Sequence, residues 1–175
     1  MLLFPFAWAI GSGGQKRKSI SVKQVGGKGN ALLELTCLAA SNSSHTFSVP
    51  NGACLTTIAY ANHMKSCGIE LSSVNGSEDE IQQRFKMIRQ KIIVSPVSAI
   101  VARGIEEWVQ TLPQGWNTRF AVRSSGTKED GAESSFAGQF ATMLNVCGRD
   151  NLLMAIRQCW ASQWEPHVVT YMKRQ

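Results

Sequence analysis

No apolar run in these 175 residues is long enough to cross a bilayer. The longest, MLLFPFAWAI at the N-terminus, has ten residues, against about twenty for a spanning helix. No basic residue precedes it, so a secretory leader fits poorly even though GSGG beyond it resembles a cleavage region. A buried first strand, or a misplaced start of the reading frame, fits better, and a cytoplasmic protein without a membrane partner is expected. Cysteine is odd in number and irregular in spacing: Cys37, Cys54, Cys67, Cys147 and Cys159 form no CxxC and no Cys/His pair at zinc-ligand distance. They read as small buried residues in a reducing compartment. His45, His63 and His167 stand in unrelated contexts. There is neither a P-loop nor a GxGxxG signature, and no internal repeat. A long basic stripe is lacking as well. The net charge of +6 and pI near 9.3 favour anionic partners in general, but the basic residues are scattered apart from QKRK at 15–18 and Lys173-Arg174. A nucleic-acid partner is therefore not expected.

What is present suits a packed core. The chain is 43% hydrophobic and 17% charged, enough for one ordinary domain or two small lobes. QKRK lies in a flexible linker. Beyond it, Val22 and Val25 precede a glycine-rich turn, Gly26-Gly27-Lys28-Gly29. From Asn30, a plausible N-cap, Leu32, Leu33, Leu35 and Leu38 recur at helical spacing. FSVPNGACL reads as an extended piece broken by Pro50-Asn51-Gly52, and Thr56 or Thr57 caps a helix over 59–66 that Cys67-Gly68 ends. Ser77 and Glu80 have capping-box spacing and open a helix to about Lys91. Ser95-Pro96 opens another, which Leu112-Pro113 stops. The stretch 118–123 alternates as a strand, with Phe120 and Val122 on one face and Arg119, Ala121 and Arg123 on the other. A returning strand spans 140–146. DNLLMAIRQCWASQW then makes an amphipathic helix with Leu152, Ile156, Cys159, Trp160 and Gln163 on one stripe, and Glu165-Pro166 opens a last helix. A mixed α/β or α+β core follows from this order.

Two stretches carry chemistry. In GGKG, glycines ahead of a helix leave backbone N–H groups free to face an anion, and Lys28 adds a full charge suited to phosphate. The other reading is a surface lysine in a glycine turn. In RFAVRSSGTKEDGAESSFAGQF, Arg123 ends a strand away from the packed face, followed by hydroxyl donors. Its guanidinium fork matches phosphate oxygens; equally, it could pair with Glu129 or Asp130. Glu129 and Asp130 are neighbours whose side chains diverge in an extended segment, so a shared metal between them is not expected. Trp160 and Trp164, four apart on one helix, read as core rather than as a stacking platform.

Taken in order, VGGKGNALLEL, FSVPNGACLTTIAY, AVRSSGTKEDGAESSFAGQFATMLNV and LLMAIRQCWASQW closely resemble the N-terminal ATP-binding domain of phosphoenolpyruvate synthases and pyruvate, phosphate dikinases. Rifampicin phosphotransferases share that family. The resemblance covers roughly residues 20–175. It implies an ATP-grasp fold of α+β class, with residues 1–18 an apolar segment and linker and residues 19–175 the N-terminal part of the nucleotide-binding domain. It also implies ATP as ligand, with Lys28 and Arg123 on its phosphates and Gly138 and Thr142 as further contacts. Ser124, Ser125 and Gln139 are plausible secondary contacts. Gly126 replaces the family's usual alanine, and Asn51 stands where Pro-Gly is usual. The family's adenine-binding strand and magnesium-holding acidic and glutamine residues would fall beyond Gln175. So would its phosphohistidine domain, which passes phosphate to pyruvate or another acceptor. Mg would therefore be held outside this chain, whose partners would be that further lobe and histidine domain. No catalytic residue is assigned within the 175. The alternative, from another class, is a truncated, non-catalytic relative serving as a nucleotide-binding or interaction module.

Overall fold

The computed structural model describes residues 3–5, 20–41, 47–70, 76–126, 130–131, 134–135 and 141–165. It divides into two compact units: Met1–Tyr60 with Ser125–Ala137, and Ala61–Ser124 with Gly138–Gln175.

In the first unit, β1 (Leu3–Pro5) pairs antiparallel with β2 (Ala53–Leu55), Phe4 opposite Cys54. Part of the N-terminal apolar run thus forms a strand. A second, two-residue ladder joins β4 (Asp130–Gly131) to β5 (Ser134–Ser135). The helix α1 (Val22–Ser41) buries Val25, Leu33 and Cys37, which cluster with Cys54. The expectation that Asn30 caps this helix does not hold. Helix begins at Val22 and resumes after a break at Gly26, so Asn30 lies inside it; rather than capping, its amide donates to Glu34. The buried stripe is Gly29-Leu33-Cys37, spaced four apart, while Leu32, Leu35 and Leu38 face outward and Leu38 is 52% exposed. Residues four apart share one face of a helix, and here that face, not the other leucines, meets the core.

Helix α2 (Thr57–Ser66) begins where the buried Thr56 hydroxyl accepts from the Ala59 N–H. Its end is a Schellman turn in the second unit. The Gly68 N–H donates to Lys65 O, the Ile69 N–H donates to Met64 O, and Gly68 takes φ +64. Met64 and Ile69 are both buried, the hydrophobic contact such a turn favours. Helix α3 (Glu78–Val94) opens with the expected capping box. The Ser77 hydroxyl accepts from the Glu80 N–H while the Glu80 carboxylate accepts from the Ser77 N–H, which draws the Glu80 pKa down. Its core face is Ile81, Phe85, Ile88 and Ile92, and that of α4 (Ala99–Gln110) is Val101, Ile105 and Val109. The strand β3 (Phe120–Arg123) pairs antiparallel with β6 (Thr142–Val146), and α5 (Arg149–Ala161) covers one face of that ladder and packs on α3. Trp160 is buried, as its spacing predicts, and Trp164 meets Phe85 edge to face at 4.9 Å. The helix expected after Glu165 lies outside the described residues. No helix among the described residues is long and apolar enough to cross a membrane.

Candidate functional site

In the first unit, the glycine turn is built against residues 125 and 126. Gly26 sits at φ +73, ψ 173, a conformation open to glycine alone, and the helix restarts behind it. A helix start leaves its first N–H groups without intrahelical acceptors. At most helices a Ser, Thr, Asp or Asn side chain in the cap position takes one of them; Gly26 has none to offer. Ser125, 96 residues along the chain from Gly29, fills that role. Its Oγ accepts from the Gly29 N–H at 2.8 Å and donates to Val25 O at 2.6 Å. The Gly27 N–H donates to Gly126 O at 3.1 Å. This corrects the expectation that the turn's amides stand free for an anion: those of Gly27 and Gly29 are committed to the chain itself.

The glycines serve that close approach. A Cβ on Gly26 would lie 1.9 Å from Ser125 O, and one on Gly29 would lie 2.7 Å from Cys54 Sγ. Lys28, half-buried, is what the turn offers a phosphate in the way of charge. Burial pushes the Cys54 thiol up to about 11. At pH 8 its thiolate fraction is then on the order of one in a thousand. Cys54 is expected to resist a thiol-specific disulfide reagent at pH 8 until urea unfolds the chain. Mass spectrometry of the modified peptides checks this, and rapid labelling of folded protein at Cys54 would contradict it.

In the second unit, Arg123 and Thr142 are direct cross-strand partners at the end of the β3–β6 ladder, and both are exposed. The expected alternation holds: Phe120 and Val122 are half-buried, while Arg119, Ala121 and Arg123 are exposed. A register irregularity between Phe120 and Val122 sets Leu144 and Asn145 against Ala121. Asn145 takes φ 59 there, and its side-chain oxygen accepts from Arg119 at 2.7 Å. Leu144, on the same face as Thr142, is 72% exposed. One serine anchors the start of β6. The buried Ser162 hydroxyl accepts from the Ala141 N–H at 3.3 Å and donates to Cys159 O at 2.8 Å. Sequence reasoning missed this role, since a serine following a helix's last apolar residue gives no sign of its distant partner.

Ser124 is half-buried beside Arg123 in the chain, whereas Gly138 and Gln139 lie outside the described residues. Among the described residues no three His, Cys, Asp or Glu side chains gather as a metal would need. No ligand set for magnesium is therefore found among the described residues. His63, fully buried, stacks on Trp160 with ring centroids 4.9 Å apart and lies 3.5 Å from Cys67 Sγ. That makes it a core histidine.

Residues 22–175 match the pyruvate phosphate dikinase AMP/ATP-binding domain over their whole span. The chain belongs to that family. Among its curated relatives are the rifampicin phosphotransferase of Bacillus cereus, 34% identical over 84% of this chain, and that of Streptomyces sviceus, 36% identical over 87%. The phosphoenolpyruvate synthase of Escherichia coli is 34% identical over 88%. The chain spans 17%, 18% and 20% of the lengths of these three relatives, respectively. Membership in this dikinase domain family makes the chain a nucleotide-binding domain of mixed helix and strand.

Proposed function

We propose that this chain binds ATP as the N-terminal portion of an ATP-grasp domain in a phosphotransferase of the phosphoenolpyruvate synthase type. Lys28 and Arg123 take the phosphates, and Thr142 donates one hydroxyl hydrogen bond. Gly138 allows close backbone approach, and Ser124 and Gln139 give further contacts. The chemistry requires little of these residues beyond position and charge. A transferring phosphoryl group spreads negative charge over its oxygens, and cationic donors fixed in place stabilise it. The transferred phosphate passes to a histidine on a separate domain and from there to pyruvate or another acceptor. Magnesium would be held by residues outside this chain, where it would supply further positive charge against the phosphates.

The observation that carries this reading is the pairing of Arg123 with Thr142 at one end of an exposed sheet face whose other side is packed on α5. A guanidinium fork and a hydroxyl on rigid neighbouring strands suit an anionic ligand. Calorimetric titration of the whole chain with Mg·ATP tests it, alongside Arg123→Ala. Removing a charge-assisted donor should weaken binding by roughly tenfold or more. Wild-type chain that is folded yet takes up no ATP would refute the proposal for this chain, as would an Arg123→Ala variant that binds unchanged.

A further inference from the structure

We propose that Ser125 is a positioning residue for Lys28. It acts as the N-cap, supplied from a distant part of the chain, of the helix that carries that lysine, and it does not itself touch ATP. The proposal rests on the ATP-binding reading above and adds to it a division of labour within the RSS stretch. Both hydrogen-bonding directions of the Ser125 hydroxyl are occupied by the turn. It donates to Val25 O and accepts from the Gly29 N–H, so it brackets Lys28 from the residue after it and from three residues before it. The neighbouring Gly27 N–H is held by Gly126 O. The segment 125–126 therefore satisfies two of the orphan donors of the restarted helix. It fixes the direction in which that helix leaves Gly26, and with it the place from which the Lys28 side chain starts. The arrangement also explains why Gly26 and Gly29 lack side chains, since a Cβ on either would press on Ser125, at 1.9 Å from its carbonyl oxygen and 3.2 Å from its Oγ respectively.

A residue acting through another has a signature that a contact residue lacks. If Ser125 works by placing Lys28, removing the hydroxyl matters only while Lys28 is there. Mg·ATP affinity of the whole chain is measured by calorimetry for wild type, Ser125→Ala, Lys28→Ala and the double variant, each first shown to be folded by circular dichroism. Ser125→Ala is expected to weaken binding about tenfold. Lys28→Ala should weaken it by at least as much. The double variant should bind within about twofold of Lys28→Ala, because the two losses are one loss. Losses that multiply would make Ser125 an independent contact and overturn the proposal, and so would a Ser125→Ala variant that binds like wild type. If wild type itself takes up no ATP, the ATP-binding reading has failed and this inference falls with it, a result distinct from failure of Ser125 alone.

Amide hydrogen exchange supplies a reading that needs no variant to fold. The Gly29 amide, which donates to the Ser125 Oγ at 2.8 Å, should exchange slowly in the wild-type chain without ATP. It should speed up by at least tenfold in Ser125→Ala while amides in the middle of α3 keep their rates. A Gly29 amide in wild-type protein that exchanges as fast as an unprotected one would show that the cap is absent, and would refute the proposal whatever the calorimetry gave.

Discussion

Gly26→Ala is expected to be among the most damaging single substitutions in the chain, lowering stability by about 4 kcal/mol or more. Two costs add. An alanine must be held at φ +73, ψ 173, a region worth of order 1–3 kcal/mol of strain for a residue with a Cβ. The new Cβ would also stand 1.9 Å from the carbonyl oxygen of Ser125 and 2.5 Å from its Oγ. Because the first of those atoms is backbone, no rotamer change relieves the overlap. Residues 125–126 have to withdraw, and the bonds to Val25, Gly27 and Gly29 go with them. Gly68 provides the internal comparison. It too has positive φ, at +64, but nothing lies within 4 Å of where its Cβ would be. Gly68→Ala should therefore cost only about 1 kcal/mol. Urea unfolding of both variants gives the comparison. The account of the turn is wrong if Gly26→Ala lies within 1 kcal/mol of wild type, or if the two glycines respond alike.

The same turn marks where the sequence could be read and where it could not. Local signals were legible because their partners lie a few residues away. The capping box at Ser77 and Glu80, the glycine stop at Gly68 and the two-residue alternation from Phe120 to Arg123 all took the form their spacing predicts. The candidate residues Lys28, Arg123 and Thr142 rest on ordered motifs rather than local spacing, and the structure shows Arg123 and Thr142 to be cross-strand partners. What failed depends on distance. In GGKG the glycines look like an anion cradle, because the sequence near them contains no acceptor for their amides. The acceptors are Ser125 and Gly126, nearly a hundred residues on. Asn30 looked like a cap for the same reason: no closer cap was visible, and the true one was not local. The leucines of α1 show a further limit. Helical spacing identifies a stripe, but spacing alone does not decide whether it is Leu33 with Cys37, or Leu32 with Leu35 and Leu38, that faces inward.

Trp160→Ala is the other substitution with a large expected effect, and it has a pH signature. Trp160 is buried on α5 and stacks on the fully buried His63 at 4.9 Å. Truncating a buried tryptophan costs about 3–5 kcal/mol at neutral pH. The imidazole beneath it is held below its usual 6.5, chiefly by burial, with the Arg157 charge acting in the same direction and a backbone hydrogen bond at Ile92 opposing. A histidine whose folded pKa is lowered stays neutral in the folded chain while the unfolded chain takes up a proton. Its contribution is therefore intact above pH 6.5 and is lost as pH falls from there through the folded pKa. Removing the indole lets water reach the ring and moves the folded pKa back toward 6.5, so the variant gives up less stability on acidification than wild type does. The penalty of Trp160→Ala should thus be smaller at pH 5.5 than at pH 7.5, while Trp160→Phe, which keeps a ring over His63, should retain more of the wild-type pH dependence. Urea midpoints at the two pH values decide the matter. An equal penalty at both would mean that Trp160 does not shield His63, and a penalty below 1 kcal/mol would mean that the α5 core does not depend on it.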